Sequence, residues 1–349
     1  MAGFAAHEVF GEEVLQRFTE EEILSVIEEH RGVFGIGCQG PDLFLYNVPM
    51  LISGNDKNLG SRMHTEGTGR FFAYLWQTVW DAKEPLKIEV GLSYLYGFLA
   101  HYTLDCLTHP YVYARIGYDP EAEYSRKATR GLHQQLEAAM DAKILSVKKY
   151  VLPSQYKPYE VMEVDGQERE FLADILAEAV GRTYKIRLKR ENVFGSIRLM
   201  RVIACRFYGG SEKYRKKLER WEKKLSEYYL FSNLMVTDDY ICKRKVMNWE
   251  NMPWRNPWDD DRVSTDSVWD LYNRAVEQYD AYRKEFSRLG QWTLEHLNGA
   301  DRKKGEIKGH ASAIIETSEF DREQDEVSAE IRRAVKKLGN RSYYSGISV

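Results

Sequence analysis

Apolar residues at helical spacing run through most of this 349-residue chain, and no apolar–polar alternation lasts long enough for a useful strand. A capping-box signature and Gly/Pro/Asn-rich punctuation between the periodic stretches point the same way. The chain therefore reads as all-α.

Thr19 followed by Glu22 resembles a capping box and opens a helix to about residue 30. Residues 31–60, rich in Gly, Pro and Asn, read as a long loop with short turns. Helices are expected over 61–81 and over 86–109, the second stopped by Pro110, and then over 121–147. Residues 150–166 are irregular, with a small hairpin expected around Val161-Met162-Glu163-Val164 and a role over a cleft suggested by composition. Further helices are expected near 168–184, 189–207, 211–229, 265–298 and 320–338, with 340–349 frayed and polar.

Composition is that of an ordinary globular chain, 43% hydrophobic and 30% charged, which excludes disorder, collagen-like repeats and a membrane bundle. A net charge of −3 leaves no global basic field for nucleic acid or anionic lipid. Cys38, Cys106, Cys205 and Cys242 form no Cys-x-x-Cys pair, so neither a disulfide framework nor a thiolate zinc site is indicated. The opening MAGFAAHEVFGEEV has no basic n-region, and a cytoplasmic location is expected. Residues 90–113 are apolar enough to raise the question of a membrane span. His101, Asp105 and His109 in their second half favour a helix buried in protein, and no transmembrane segment is expected.

Two stretches of the second half carry charge. Residues 182–224 are locally basic and could meet anionic head groups or a phosphate backbone; a solvated helix face balanced by acids is the plainer reading. Asp259, Asp260 and Asp261 lack the glycine and glutamate of a calcium loop and read as an acidic loop ahead of a helix capped near Ser264 or Thr265. P-loop, His-Glu-x-x-His and dinucleotide-binding templates are all missing.

Six of the eight histidines lie in the first 133 residues. His30, His296 and His310 are given surface or ordinary core roles. His101 and Asp105 stand i, i+4 on one helix, and His109 repeats the step, so the three share a broad face. His101 and His109 are nevertheless roughly 12 Å apart along the axis, too far for one ion. If both bind metal, two positions are needed, with Asp105 joining the first. His133 and Glu137 form a second i, i+4 pair that could complete the site begun by His109. Imidazoles and carboxylates without thiolate suit a catalytic zinc-like ion. A self-satisfied His–Asp pair in a core helix is the competing reading.

The ordered set of His7, Gly-Pro-Asp ending at Asp42, His64 in MHTEG, GFLAHYTLDCLTHP, and His133 with Glu137 resembles the zinc-dependent phospholipase C family. The fungal single-strand nucleases share that family's all-α fold and trinuclear zinc site. The resemblance covers about residues 1–145, His-x3-Asp-x3-His being its most specific part. It implies up to three zinc ions: one on Asp42, His64 and His101, a second on His7 joined to the first by Asp105, and a third on His109, His133 and Glu137. It also implies a ligand from the N-terminal amine, which here would be Ala2 once Met1 is removed. Residues 1–230 would form the phospholipase C/nuclease-like multi-helix catalytic domain, and 231–349 a helical extension packed on the same core.

The activity implied is hydrolysis of a phosphodiester by metal-activated water, with phospholipid the leading substrate class. Asp42 is the candidate general base or water-orienting group. Glu66 is a weaker candidate to orient His64, and Phe44, Tyr46 and Tyr102 are candidates to line the cleft. A nuclease or small-molecule phosphodiesterase, and a non-catalytic metal-stabilised helical binding protein, are the alternatives; nucleic acid is the less favoured partner.

Overall fold

The computed structural model describes residues 3–46, 58–122, 125–225, 231–306 and 313–349. Its α-helices are α1 (Phe4–Leu15), α2 (Glu21–Glu29), α3 (Arg31–Cys38), α4 (Leu59–Thr65), α5 (Thr68–Trp80), α6 (Pro85–Arg115) and α7 (Ser125–Ile144). Then follow α8 (Gly166–Tyr184), α9 (Arg190–Phe207), α10 (Glu212–Leu225), α11 (Val268–Glu306) and α12 (Ala313–Leu338). Strands β1 (Trp254–Asn256) and β2 (Asp259–Ser264) form one antiparallel pair. The fold is all-α. Among the described residues no helix is long and apolar enough to cross a membrane.

Helix α6 is the axis of the structure. Pro85 at its first turn suits a position whose N–H has no helical partner. From Val90 to Val112 nearly every side chain is buried, because α1, α3, α8 and α11 all pack around it. One continuous core joins Ala5 in α1 to Tyr343 near the chain's end, with Tyr279 and Phe286 of α11 against α1 and α5. Residues 268–349 therefore bury apolar surface in the same core as the histidine-bearing helices.

Several local expectations change. The loop expected at 31–60 contains α3 and a 3-10 turn over Gly40–Tyr46; residues 47–57 lie outside the described set. The glycines of GVFGIGC that suggested a loop are packing contacts. A Cβ on Gly37 would stand 2.4 Å from the Tyr94 carbonyl, and one on Gly97 2.3 Å from the Phe34 carbonyl. The two helices thus meet backbone to backbone, and that packing offsets the roughly 1 kcal/mol by which each helical glycine is disfavoured. Gly97→Ala is accordingly expected to destabilise the fold by about 1–3 kcal/mol. A urea midpoint shift at unchanged m-value measures it, and an unshifted midpoint would mean that the helices can separate freely.

The helix expected over 61–81 is broken at Gly67, whose φ of +72° ends one helix and begins the next. Pro110 does not stop α6, because its neighbours hold the helix to Arg115. The Thr19–Glu22 capping box does not form: Glu20, not Thr19, holds the N-cap position, the Thr19 hydroxyl donates to the Glu20 carboxylate, and that carboxylate also meets Arg283 and Ser287 of α11. The hairpin expected at 161–164 is a 3-10 turn, Glu160–Met162, packed on α3. The acidic loop at 259–261 is instead strand β2.

The largest difference is at the end of the chain. Residues 340–349, expected to fray, fold back as a bridged turn in which Val349 N donates to the Asn340 carbonyl at 3.0 Å. Tyr343 is buried, and its N–H donates to the His64 carbonyl at 2.9 Å.

Candidate metal centre

Five elements converge on the middle of α6. His7 comes from the first turn of α1, Asp42 from the 3-10 turn after α3, and His64 from α4. His101, Asp105 and His109 are successive turns of α6, while His133 and Glu137 face them from α7. The i, i+4 steps on α6 and α7 bring these side chains to one side of each helix. All are buried except His133, which is 12% exposed.

Three clusters have ligand atoms within 4.8 Å of one another: His7, His101 and Asp105; Asp42, His64 and His101; and His109, His133 and Glu137. Asp105 is the hub, with Oδ1 3.2 Å from His7 Nε2 and Oδ2 3.1 Å from His101 Nε2. Its Oδ2 also lies 3.8 Å from His64 Nε2 and 3.4 Å from His109 Nδ1. His64 Nε2 stands 3.1 Å from Asp42 Oδ1, and His133 Nε2 2.7 Å from Glu137 Oε1. The rings of His7 and His101 stack at 4.0 Å.

Backbone carbonyls fix the tautomers. Nδ1 of His64 is 2.7 Å from the Gly60 carbonyl, that of His101 3.0 Å from Cys38, and that of His109 3.0 Å from Tyr343. A carbonyl only accepts, so each Nδ1 carries the proton and each Nε2 turns a lone pair inward. Among the described residues, the buried Nε2 atoms of His7, His64 and His101 and Oδ1 of Asp42 make no well-formed hydrogen bond, although partners stand at ion-pair distance. Buried acceptors that face one another without shared protons are costly unless a cation sits between them.

Two of the imidazoles are held neutral by burial. Burial, then the neighbouring His101, pushes His7 down to about 4, which leaves a neutral imidazole at pH 7. Burial likewise holds His133 well below the usual histidine range and Glu137 well above the usual carboxylate range. Burial opposes the charge on Asp105, yet His101 and His7 outweigh it and keep the carboxyl ionised. For His101 burial acts downward, and Asp105 more than reverses it. The donor set, all imidazole and carboxylate, is one that zinc accepts.

A family model described as zinc dependent phospholipase C matches residues 6–192. The chain belongs to that family. The matched span contains His7, Asp42, His64, His101, Asp105, His109, His133 and Glu137, and the zinc dependence of the family agrees with their donor chemistry. No curated protein and no solved structure shows a significant match to the chain.

Other sequence-derived candidates lie elsewhere. Glu66 pairs with Arg62 on the surface, and the Gly60 carbonyl, not Glu66, orients His64. Phe44 is fully buried in the core. Tyr102 is buried too, donating to the Leu338 carbonyl at 2.7 Å and accepting from Arg341 N at 3.1 Å, so it anchors the end of the chain. Ala2 and the Tyr46 side chain lie outside the described residues. His30 has the plain role expected, 2.7 Å from Glu168 and away from the centre.

Sequence reasoning did not reach three groups. Asp141 accepts from Ala5 N at 3.2 Å and Ala6 N at 3.0 Å, pinning the start of α1, and accepts from the Tyr208 hydroxyl. A carboxylate there suits the positive end of a helix, although burial raises its pKa to about 6. Its signal was present: Asp141 continues the four-residue step of His133 and Glu137. Tyr343 supplies the carbonyl for His109, and Tyr344 stacks on His64 at 5.1 Å. Tyr208, Tyr343 and Tyr344 all lie beyond the span that the family model matches.

Proposed function

We propose that the chain is a phosphoric ester hydrolase that cleaves a phosphodiester in the manner of a phospholipase C, with up to three zinc ions. His7 with Asp105, Asp42 with His64 and His101, and His109 with His133 and Glu137 would hold them. Bound zinc would supply positive charge to the phosphoryl oxygens and a water of lowered pKa.

The supporting observation is the cleft that reaches the centre. It is a small cavity of about 40 Å³, lined by Asp42 and Glu137 together with Phe4, Gln39, Tyr208 and Leu234. A purely structural centre has no need of an opening onto its carboxylates. No residue of the 150–166 stretch lines this cleft among those described. Asp42 faces His64 and lines the cavity, and its carboxylate would orient a water and accept its proton. Asp105, closed in on all sides, keeps His7 and His101 in register.

Asp42→Asn keeps a ligand oxygen and removes the base. It is expected to leave zinc content near wild type while phosphodiester turnover falls about 10²- to 10⁴-fold. Metal analysis alongside a choline-phospholipid and a nitrophenyl phosphodiester assay reads both, and full turnover by the variant would remove Asp42 from the chemistry.

A further inference from the structure

Helix α10 is built inside out. Of its three acids Glu222 is buried, accepting from Phe231 N at 2.6 Å and from Ser232, while the half-buried Glu212 and Glu219 pair with the buried Arg215. Its exposed positions carry cations and aromatics only, namely Lys213, Tyr214, Lys216, Lys217, Arg220, Trp221, Lys223 and Lys224. Tyr214 and Trp221 are each 57% exposed, about two turns apart on one helical stripe with Lys217 between them. Among the described residues Lys213, Lys217 and Lys224 make no ion pair, while Lys216 reaches Glu212 at 3.9 Å, so acids balance the outer face only in part.

The opposite, inward side of this helix is tied to the cleft. The bonds from Glu222 hold the turn Ser232–Leu234, that turn packs on α7, and Leu234 lines the cleft beside Glu137. Phe231, 45% exposed, immediately precedes that turn and stacks on Phe207.

We propose that the outer face of α10 docks the protein on an anionic phospholipid surface, with Tyr214 and Trp221 at head-group depth and the lysines on lipid phosphates. Large aromatic rings on a helix face whose other exposed positions are all cations can leave water by entering a membrane interface, where amphipathic rings are favoured. Stacking on single-stranded bases calls for a groove that tracks the backbone. The choice of lipid rests on the phospholipase C-like reading above, since α10 is joined through Glu222 to a turn that lines the cleft.

The test is co-sedimentation of the full chain with phosphatidylcholine vesicles, with and without phosphatidylglycerol, beside turnover of a soluble short-chain phosphodiester. The expected result is binding to the anionic vesicles only, released by salt. Partition should fall about tenfold or more in Lys217→Glu/Lys224→Glu, and also in Tyr214→Ala/Trp221→Ala, with soluble turnover unchanged. The second pair keeps every charge, so loss there separates insertion from simple attraction. No binding to anionic vesicles, or binding that neither pair weakens, overturns the proposal, as does binding of a single-stranded oligonucleotide in place of vesicles. If wild type cleaves no phosphodiester, the catalytic reading fails while the vesicle result still decides the docking.

Discussion

Asp105→Ala is expected to weaken metal binding more than loss of any single histidine, because its carboxylate faces His7, His64, His101 and His109 at 3.2, 3.8, 3.1 and 3.4 Å. Metal affinity should fall by well over the roughly 10- to 100-fold that loss of an outer partner of a ligand brings. The variant also leaves buried imidazoles without their anionic neighbour, and removing one member of such a buried pair typically costs about 3–5 kcal/mol. Zinc titration followed by thermal unfolding separates the effects: the metal-free variant should melt below wild type, and added zinc should recover little of the difference. A variant that binds as much zinc as wild type, equally tightly, would show that Asp105 is only a core acid.

A second large effect is expected far from the histidines in sequence. Pro110 has no N–H, so the Cys106 carbonyl lacks its usual helical partner, and Gly346 lies against that carbonyl. Gly346 has a φ of +64°, and a Cβ there would stand 2.4 Å from the Cys106 oxygen. Gly346→Ala should therefore lever the 339–349 turn away from α6, at about 1–3 kcal/mol for the strained backbone alone. Because the turn carries the Tyr343 carbonyl that orients His109 and the Tyr344 ring that covers His64, zinc affinity should fall about tenfold or more as well. Urea unfolding of the metal-free protein and a chelator competition read the two effects. A loss of stability with unchanged zinc affinity would confine the turn to a packing role.

The legibility of this molecule in its sequence follows the kind of interaction involved. His101, Asp105 and His109 were visible because an α-helix converts a four-residue step into a shared face, and the structure sets them on one side of α6. The all-α class followed from periodicity for the same reason. Helix α3 was hidden because glycine signals loops locally, whereas Gly37 meets Gly97 across a helix pair that only the tertiary fold creates. Pro110 misled for a related reason: α6 is buried along most of its length, and packing carries it past a residue that would end an isolated helix. The role of Tyr343 had no side-chain signal at all, since a backbone carbonyl does the work and any residue could supply it. Asp141 was legible in principle from its spacing to Glu137, but the N–H groups it receives belong to a helix 135 or 136 residues away.

If these side chains form a zinc centre, elemental analysis of untagged protein purified without added metal or chelator finds the zinc bound. Two to three zinc ions per chain are expected, one for each of the three clusters at full loading. His101→Ala and His133→Ala should each lower the count, and at different positions, because their ligand atoms belong to different clusters. A chain that holds no zinc tightly even after zinc is supplied would contradict the account, and His101, Asp105 and His109 would then be polar members of an ordinary helical core.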